Sequence, residues 1–471
     1  MPFNHLGMAE PTRSDDDPYL WAMGKILEAG ASGVIRGKAA ALVQSASEAV
    51  LAGDYAAARQ AYRQASMLYK TLDDREGEAH VLTGLGHLES HLGRHDEARA
   101  LYIEARSLSK SVGDRLVEAQ VLRRLGELEG TLGRYDEARS AYIEARSLFK
   151  AVGMGQGEAQ VLSGLGLIEA QMERYDQARV HLTEALILFK PFEDRLGEAN
   201  ALLGLGHIAS KLGRDDKARA AYTEARSLFK AVGDHMGEAH VLCALGKLDE
   251  NLGQYGEARS GYTEAGSLYK AIGYRLGEGI ALEGQGELDR LQGRNDEARS
   301  GFIEARSLFK AVGHRLGEAR VLRKLGDVAS TLGQHDEARA SYVESRSLSK
   351  DLGERGNEAN VLTALGNLEV LHGRFEEAHA AYKEARSLYN ALGDRLGQAH
   401  VLLGLGESVR VLGRNDEAHL AYLEARYLYV LVGNRLGEAN VLAKLGHLKT
   451  RLGMPDEAHT SYTEARNLYK A

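Results

Sequence analysis

The apolar positions follow a helical rhythm, and the whole pattern returns every forty residues. In "AHVLTGLGHLESHL", Ala79, Val81, Leu82, Leu85, Leu88 and Leu92 recur at the i, i+3, i+4, i+7 spacing of one helix face. The stretch beginning at Gly93 has near copies at Gly133, Gly213, Gly253, Gly293, Gly333, Gly373 and Gly413, and a worn copy with Glu173 in the glycine slot. Each unit predicts two helices, for example Asp114–Leu132 and Tyr135–Val152. Asp114 is suited to the N-cap and Gly133 to the C-terminal turn, while Asp136, Glu137 and Lys150 follow the helix dipole. Sustained period-2 alternation is missing, so the chain reads as all-α. About eleven units run from about residue 33 to 471.

Comparing units within the chain separates positions that packing constrains from positions it leaves free. Counting from Ala79 as position 1, the constant residues are Ala79, Val81, Leu82, Leu85, Gly86, Leu88 and Leu92. At about 100° per residue they share one arc, where truncating a buried side chain costs about 2–5 kcal/mol. Gly86 and its equivalents mark a close approach by another helix. Positions 2, 5, 6, 9, 12 and 13 change from unit to unit and fall on the opposite stripe.

The spacing Leu85-Gly86, Ala98, Tyr102, Ala105, renewed in almost every unit, resembles the tetratricopeptide repeat (TPR). The forty-residue form with "GDRLGEA" links is similar to the arrays of the Pins/LGN spindle-orientation adaptors and of NACHT or NB-ARC signalling proteins. The resemblance implies a right-handed TPR superhelical solenoid of helix-turn-helix repeats that binds a protein or peptide ligand. The free stripe would line its concave groove. The groove residues are then His80, Thr83, His87, His91, Gln120, Arg123, Arg124, Glu127, Asn200 and His207. They continue with Lys247, Glu283, Glu287, Arg290, Arg320, Arg323, Lys324, Asp327, Asn360, Asn367, Asn440 and Lys444. Peptide-clamping TPR proteins often carry Asn at position 9; here only Asn367 does, a departure from the Pins/LGN mode.

Composition narrows the class. At 471 residues the chain exceeds one compact core, which a repeat array does not need. A net charge of −8 gives no general attraction to nucleic acid or anionic membrane. Cys243 is the single cysteine, which excludes an intramolecular disulfide and suits a reducing, cytoplasmic setting. No apolar run spans a bilayer, and the start lacks a secretory core. Residues 1–14 read as a disordered tail, 15–32 as a short capping helix and linker, and 33–471 as the array. The final "NLYKA" lies inside a second helix, an uncapped end through which copies could associate.

Few features suggest chemistry. His87 and His91 have i, i+4 metal spacing with His80 on the same face, but no ligand set completes it; protonation of the three near pH 6 would change groove charge. Arg123, Arg124, Arg320, Arg323 and Lys324 would grip acidic groups, or else pair with Glu127, Glu283, Glu287 and Asp327 across the groove. The column Tyr102, Tyr142, Tyr222, Tyr262, Phe302, Tyr342, Tyr382, Tyr422, Tyr462 reads as core. "EARSL" reads as a solvated face with local ion pairs. Cys243 sits on the stripe without a base, so a catalytic thiol is not expected. Gly279, Gln285 and Gln292 break the packing pattern and predict a soft joint. With no phosphate loop, nucleophile elbow or metal signature, neither enzyme activity nor a cofactor or metal is expected. A non-catalytic binding scaffold is the first reading; a sensor module of a NACHT/NB-ARC-type protein and a self-associating solenoid are the alternatives.

Overall fold

The computed structural model describes residues 18–470, and all regular structure among them is helical. The expected tail, 1–14, and the side chains of the expected capping face lie outside the described residues. Numbered in chain order from α1 (Pro18–Leu51) to α22 (Pro455–Lys470), the helices form eleven antiparallel pairs. The array divides at Val232/Gly233 into two compact units. Helix α1 runs unbroken for 34 residues, through the point where a linker was expected.

Local signals set the helix ends. First helices α5 (Arg115–Thr131) and α9 (Arg195–Lys211) start behind Asp114 and Asp194, whose carboxylates accept from backbone N–H groups two or three residues on. Turns close on a left-handed residue, such as Gly133 at φ 72°. In the worn copy Glu173 adopts φ 59°, a conformation costly to a residue with a Cβ.

Alanine columns let the helices close up: Ala79, Ala119 and Ala159 in first helices, and Ala98, Ala138 and Ala178 in second helices, are fully buried. Each second helix packs on its own first helix and, within each compact unit, on the next repeat's. The Tyr/Phe column is core, as its residue type implied, except at the half-buried Tyr462. A Cβ on Gly86 would lie 2.7 Å from the Tyr102 ring, and one on Gly126 2.8 Å from Tyr142. The glycine is thus the floor for an aromatic ring of its own repeat.

Two ionic ladders join successive repeats, and neither has the local form expected of "EARSL". Arg106 reaches Glu144 of the next repeat, Arg146 reaches Glu184, Arg306 reaches Glu344, and Arg426 reaches Glu464 at 2.9 Å. The second ladder is buried at its acidic end. Glu129 takes Arg99 at 2.5 Å and Arg134 at 3.2 Å, and Glu89, Glu169, Asp289 and Glu369 are held alike by two arginines. Where this position is Val409 or Lys449, the residue thirty before it is histidine, His379 or His419.

The irregular repeat stays helical over Arg275–Leu291. Gln285 donates to Thr263 Oγ1 at 3.3 Å, Gln292 accepts from Arg259 at 3.4 Å, and the Phe309 ring fills the space beside Gly279. Gln292 is exposed and Gln285 half-buried, so the cost anticipated for burying two amides does not arise in full.

Candidate functional site

Within each unit, successive first helices also touch one another: α5 meets α7 (Gly155–Gln171), and α7 meets α9. Their free stripes therefore lie side by side and form hollows. One, of about 500 Å³, lies over α5, α7 and α9, between Arg123, Gln160, Ser163, Leu203 and His207. In the second unit a hollow of about 630 Å³ lies over α17 (Arg355–Leu371) and α19 (Arg395–Val411), between Arg323, Asn360, Thr363, Leu403 and Lys444. Glycine at position 6 opens the floor of both: a Cβ on Gly164 would meet Tyr142 at 2.6 Å, and one on Gly404 would meet Tyr382 at 2.6 Å.

The basic residues are not free cations. Arg123 pairs with Glu127 on its own helix, and Arg124 reaches the same carboxylate at 3.0 Å. In the second unit Arg320 bonds Glu283 at 2.7 Å, Arg323 bonds Asp327 at 2.8 Å, and Lys324 lies 3.5 Å from Glu283 and 3.2 Å from Glu287. Of the two readings offered by the sequence, internal pairing is the one observed. Arg320 and Lys324 pair with the preceding repeat, Arg123 and Arg323 along their own helices. Burial pushes the Glu287 carboxyl up, but hydrogen bonds and charge from Arg290 and Lys324 outweigh it and hold it at about 2. Glu407, which the sequence reading did not single out, is held at about 2 by Arg410, Lys444 and Tyr422, again against burial.

The buried tyrosine column reaches the stripe through its hydroxyls. Tyr382 donates to Asn367 Oδ1 at 2.6 Å, Tyr342 to Asp327 at 2.7 Å and Tyr422 to Glu407 at 2.9 Å; Tyr222 bonds His207 at 3.0 Å. A second aromatic column does the same for position 2: Tyr389 donates to Asn360 and Tyr469 to Asn440, at 2.7 and 2.6 Å. The rings thus fix the position-9 and position-2 acceptors and leave the amide N–H groups of Asn360 and Asn367 as donors.

The other stripe residues divide into separate settings. His87 and His91 line a hollow of about 420 Å³ with Tyr55, Tyr62 and Leu88. Burial, with Arg124 nearby, lowers the His87 pKa from the usual histidine value, against the charge change offered by the sequence. His80 instead lies with Glu76 and Asp114, whose ligand atoms come within 4.8 Å of one another. Asp114 Oδ1 already caps α5. Thr83 donates to its own helix at Ala79 O, Asn200 does so at Leu196 O, and Gln120 is half-buried. Lys247 pairs with Glu250, which also accepts from Tyr262. Cys243 turns inward: burial pushes its thiol up to about 11, with the Tyr269 hydroxyl as a bonded neighbour. A protonated, half-buried thiol is a poor nucleophile.

The sequence reading missed the Glu129-type clamps, because that position varies while lying outside the stripe. The residue thirty earlier carried a partial signal: it is arginine before Glu89, Glu129, Glu169, Asp289 and Glu369, but also before Ala209 and Ala329.

Among the described residues no helix is long and apolar enough to cross a membrane. No curated protein sequence matches the chain. The apo form of the quorum sensor NprR from B. thuringiensis is similar over 77% of this chain and 99% of its own, with TM-score 0.54 at 18% identity. The STAND protein PH0952 from Pyrococcus horikoshii, which has a tetratricopeptide repeat sensor, is similar over 70% of this chain, with TM-score 0.53 at 12% identity. This chain spans about half of that protein, 52%. Both likenesses concern the fold. One tetratricopeptide repeat model matches residues 77–151, 157–231, 197–271, 278–351 and 331–391, and a second matches 363–429. With the paired helices, the alanine columns and the glycine-floored aromatic rings, those matches place the chain in the tetratricopeptide repeat family.

Proposed function

We propose that the chain is a non-catalytic scaffold that holds an extended peptide segment of a partner protein on its stripe of first helices. The observation that carries this reading is the pair of hollows at Ser163–Leu203 and Thr363–Leu403, each opened by glycine and rimmed with bonded polar side chains. Amides fixed by tyrosine hydroxyls suit peptide backbone, and apolar floor between them suits a side chain. Internal neutralisation of the arginines favours hydrogen bonding over capture of a strongly acidic ligand. The lone, half-buried Cys243 suits the cytoplasm.

A sensor module is the second reading, favoured by the likeness to NprR, a quorum sensor, and to PH0952 with its repeat sensor. The same stripe would then receive the signal.

Affinity capture from native extract tests the first reading. Wild type is compared with Leu203→Glu/Leu403→Glu and with Val343→Glu, a change at a residue 54% exposed on a second helix. A partner held by wild type and Val343→Glu, and lost by the stripe variant at unchanged helicity, is the expected result. Retention by the stripe variant would move binding elsewhere.

A further inference from the structure

The stripe has a second, longer period. Read along position 5, the repeats give Thr83, Arg123, Ser163, Leu203, Cys243 and then Glu283, Arg323, Thr363, Leu403, Ala443. The run arginine, hydroxyl, leucine returns after five repeats, 200 residues on, and occurs once in each compact unit. The surrounding residues follow. Glu127 and Asp327 pair with the two arginines at i+4, Gln160 and Asn360 carry the amide, and Gly204 and Gly404 follow the leucines. The two hollows described above stand on these two runs and on no others of that composition.

Resting on the peptide-binding reading, we infer that the chain carries two copies of one ligand site, Arg123–Ser163–Leu203 and Arg323–Thr363–Leu403, that take the same class of extended, uncharged peptide segment. Each guanidinium has five N–H donors and spends part of them on its own carboxylate. Its charge is matched, so a neutral carbonyl is a better acceptor there than a second carboxylate. The hydroxyl of Ser163 or Thr363 and the amide of Gln160 or Asn360 extend the polar edge. An apolar side chain then lies on the Leu-Gly floor beside Phe189 or Tyr389. The copies differ at Leu167 against Asn367 and His207 against Glu407, which makes their affinities unequal.

The test uses the whole chain and a short random-peptide library, from which the tightest binder is synthesised and titrated calorimetrically. Two variants fill one hollow each: Gly204→Lys and Gly404→Lys. Lysine has a precedent at this position, because Lys324 sits over the Phe302 ring at 5.6 Å. Ser163→Arg and Thr363→Arg serve as a second pair, since arginine stands at that position in Arg123 and Arg323. The expected result is two peptides bound per wild-type chain, one for each single variant and none for Gly204→Lys/Gly404→Lys. One peptide per chain, lost through only one hollow, overturns the duplication and leaves the peptide-binding reading standing. Two peptides insensitive to every variant overturn the assignment to these hollows. A library that yields no binder overturns both the duplication and the reading beneath it.

Discussion

Ser109 and Val117 exchange volume across a helix pair: both are buried, in a place where most other repeats set an aromatic ring against glycine. Phe149 and Gly157 show the usual form, in which a Cβ on the glycine would fall 2.6 Å from the ring. Ser349 and Asn357 are a second exchange, closed by a hydrogen bond of 2.7 Å from the Asn357 amide. Gly157→Val with Phe149 retained is therefore expected to cost about 1–3 kcal/mol through overpacking, and Ser109→Phe a similar amount. Ser109→Phe/Val117→Gly should recover at least about 1 kcal/mol against the sum of its single changes. Local hydrogen exchange measures this without assuming a two-state array. Additive costs would contradict the exchange.

The Glu129 clamp should behave as a buried joint between repeats. Its side chain is only 3% exposed, while Arg99 is 42% exposed and regains water when released. Glu129→Val should thus cost about 1–3 kcal/mol, below the range for stranding a fully buried charge. Adding Arg99→His, the residue type found opposite Val409, should reduce that loss. Urea midpoints of the three proteins check it, and an unchanged midpoint for Glu129→Val would contradict the clamp.

Acid sensitivity follows from Glu287 and Glu407, whose carboxyls stand at about 2, below the usual 4.5. The unfolded chain binds these protons more readily than the folded one. Their stabilisation is complete above about pH 4.5 and is lost as pH falls toward 2. Glu287→Gln/Glu407→Gln should flatten the fall in thermal midpoint between those limits. Parallel curves for variant and wild type would contradict it.

Cys243 should resist alkylation at neutral pH in the folded chain, because burial keeps its thiol protonated up to about 11. Mass spectrometry after maleimide treatment should show labelling only in denaturant. Rapid labelling under native conditions would mean that the stripe exposes this side chain.

How much of this was legible depends on what repeats. The alanine columns, Gly86 and Tyr102 recur because every repeat packs on identical neighbours, so period, helix pairs and core could be read directly. The sequence offered Arg123 and Glu127 as partners across the groove, and they pair instead along one helix, a turn apart. Arg106 with Glu144, and Arg99 with Glu129, join residues 38 and 30 positions apart, a distance that becomes contact only once the repeats stack. His80 and His87 looked alike on the helix, yet one faces Glu76 and the other a buried hollow. Side-chain direction on a stripe is settled by neighbouring helices, which a single repeat does not display.

The most direct measurement places a photo-crosslinking side chain at Leu203, at Leu403 and, on a second helix, at Val343, and maps adducts after exposure to native extract. Partner adducts at Leu203 and Leu403, and none at Val343, are the predicted result. Adducts at Val343 alone would contradict a binding surface on the first helices.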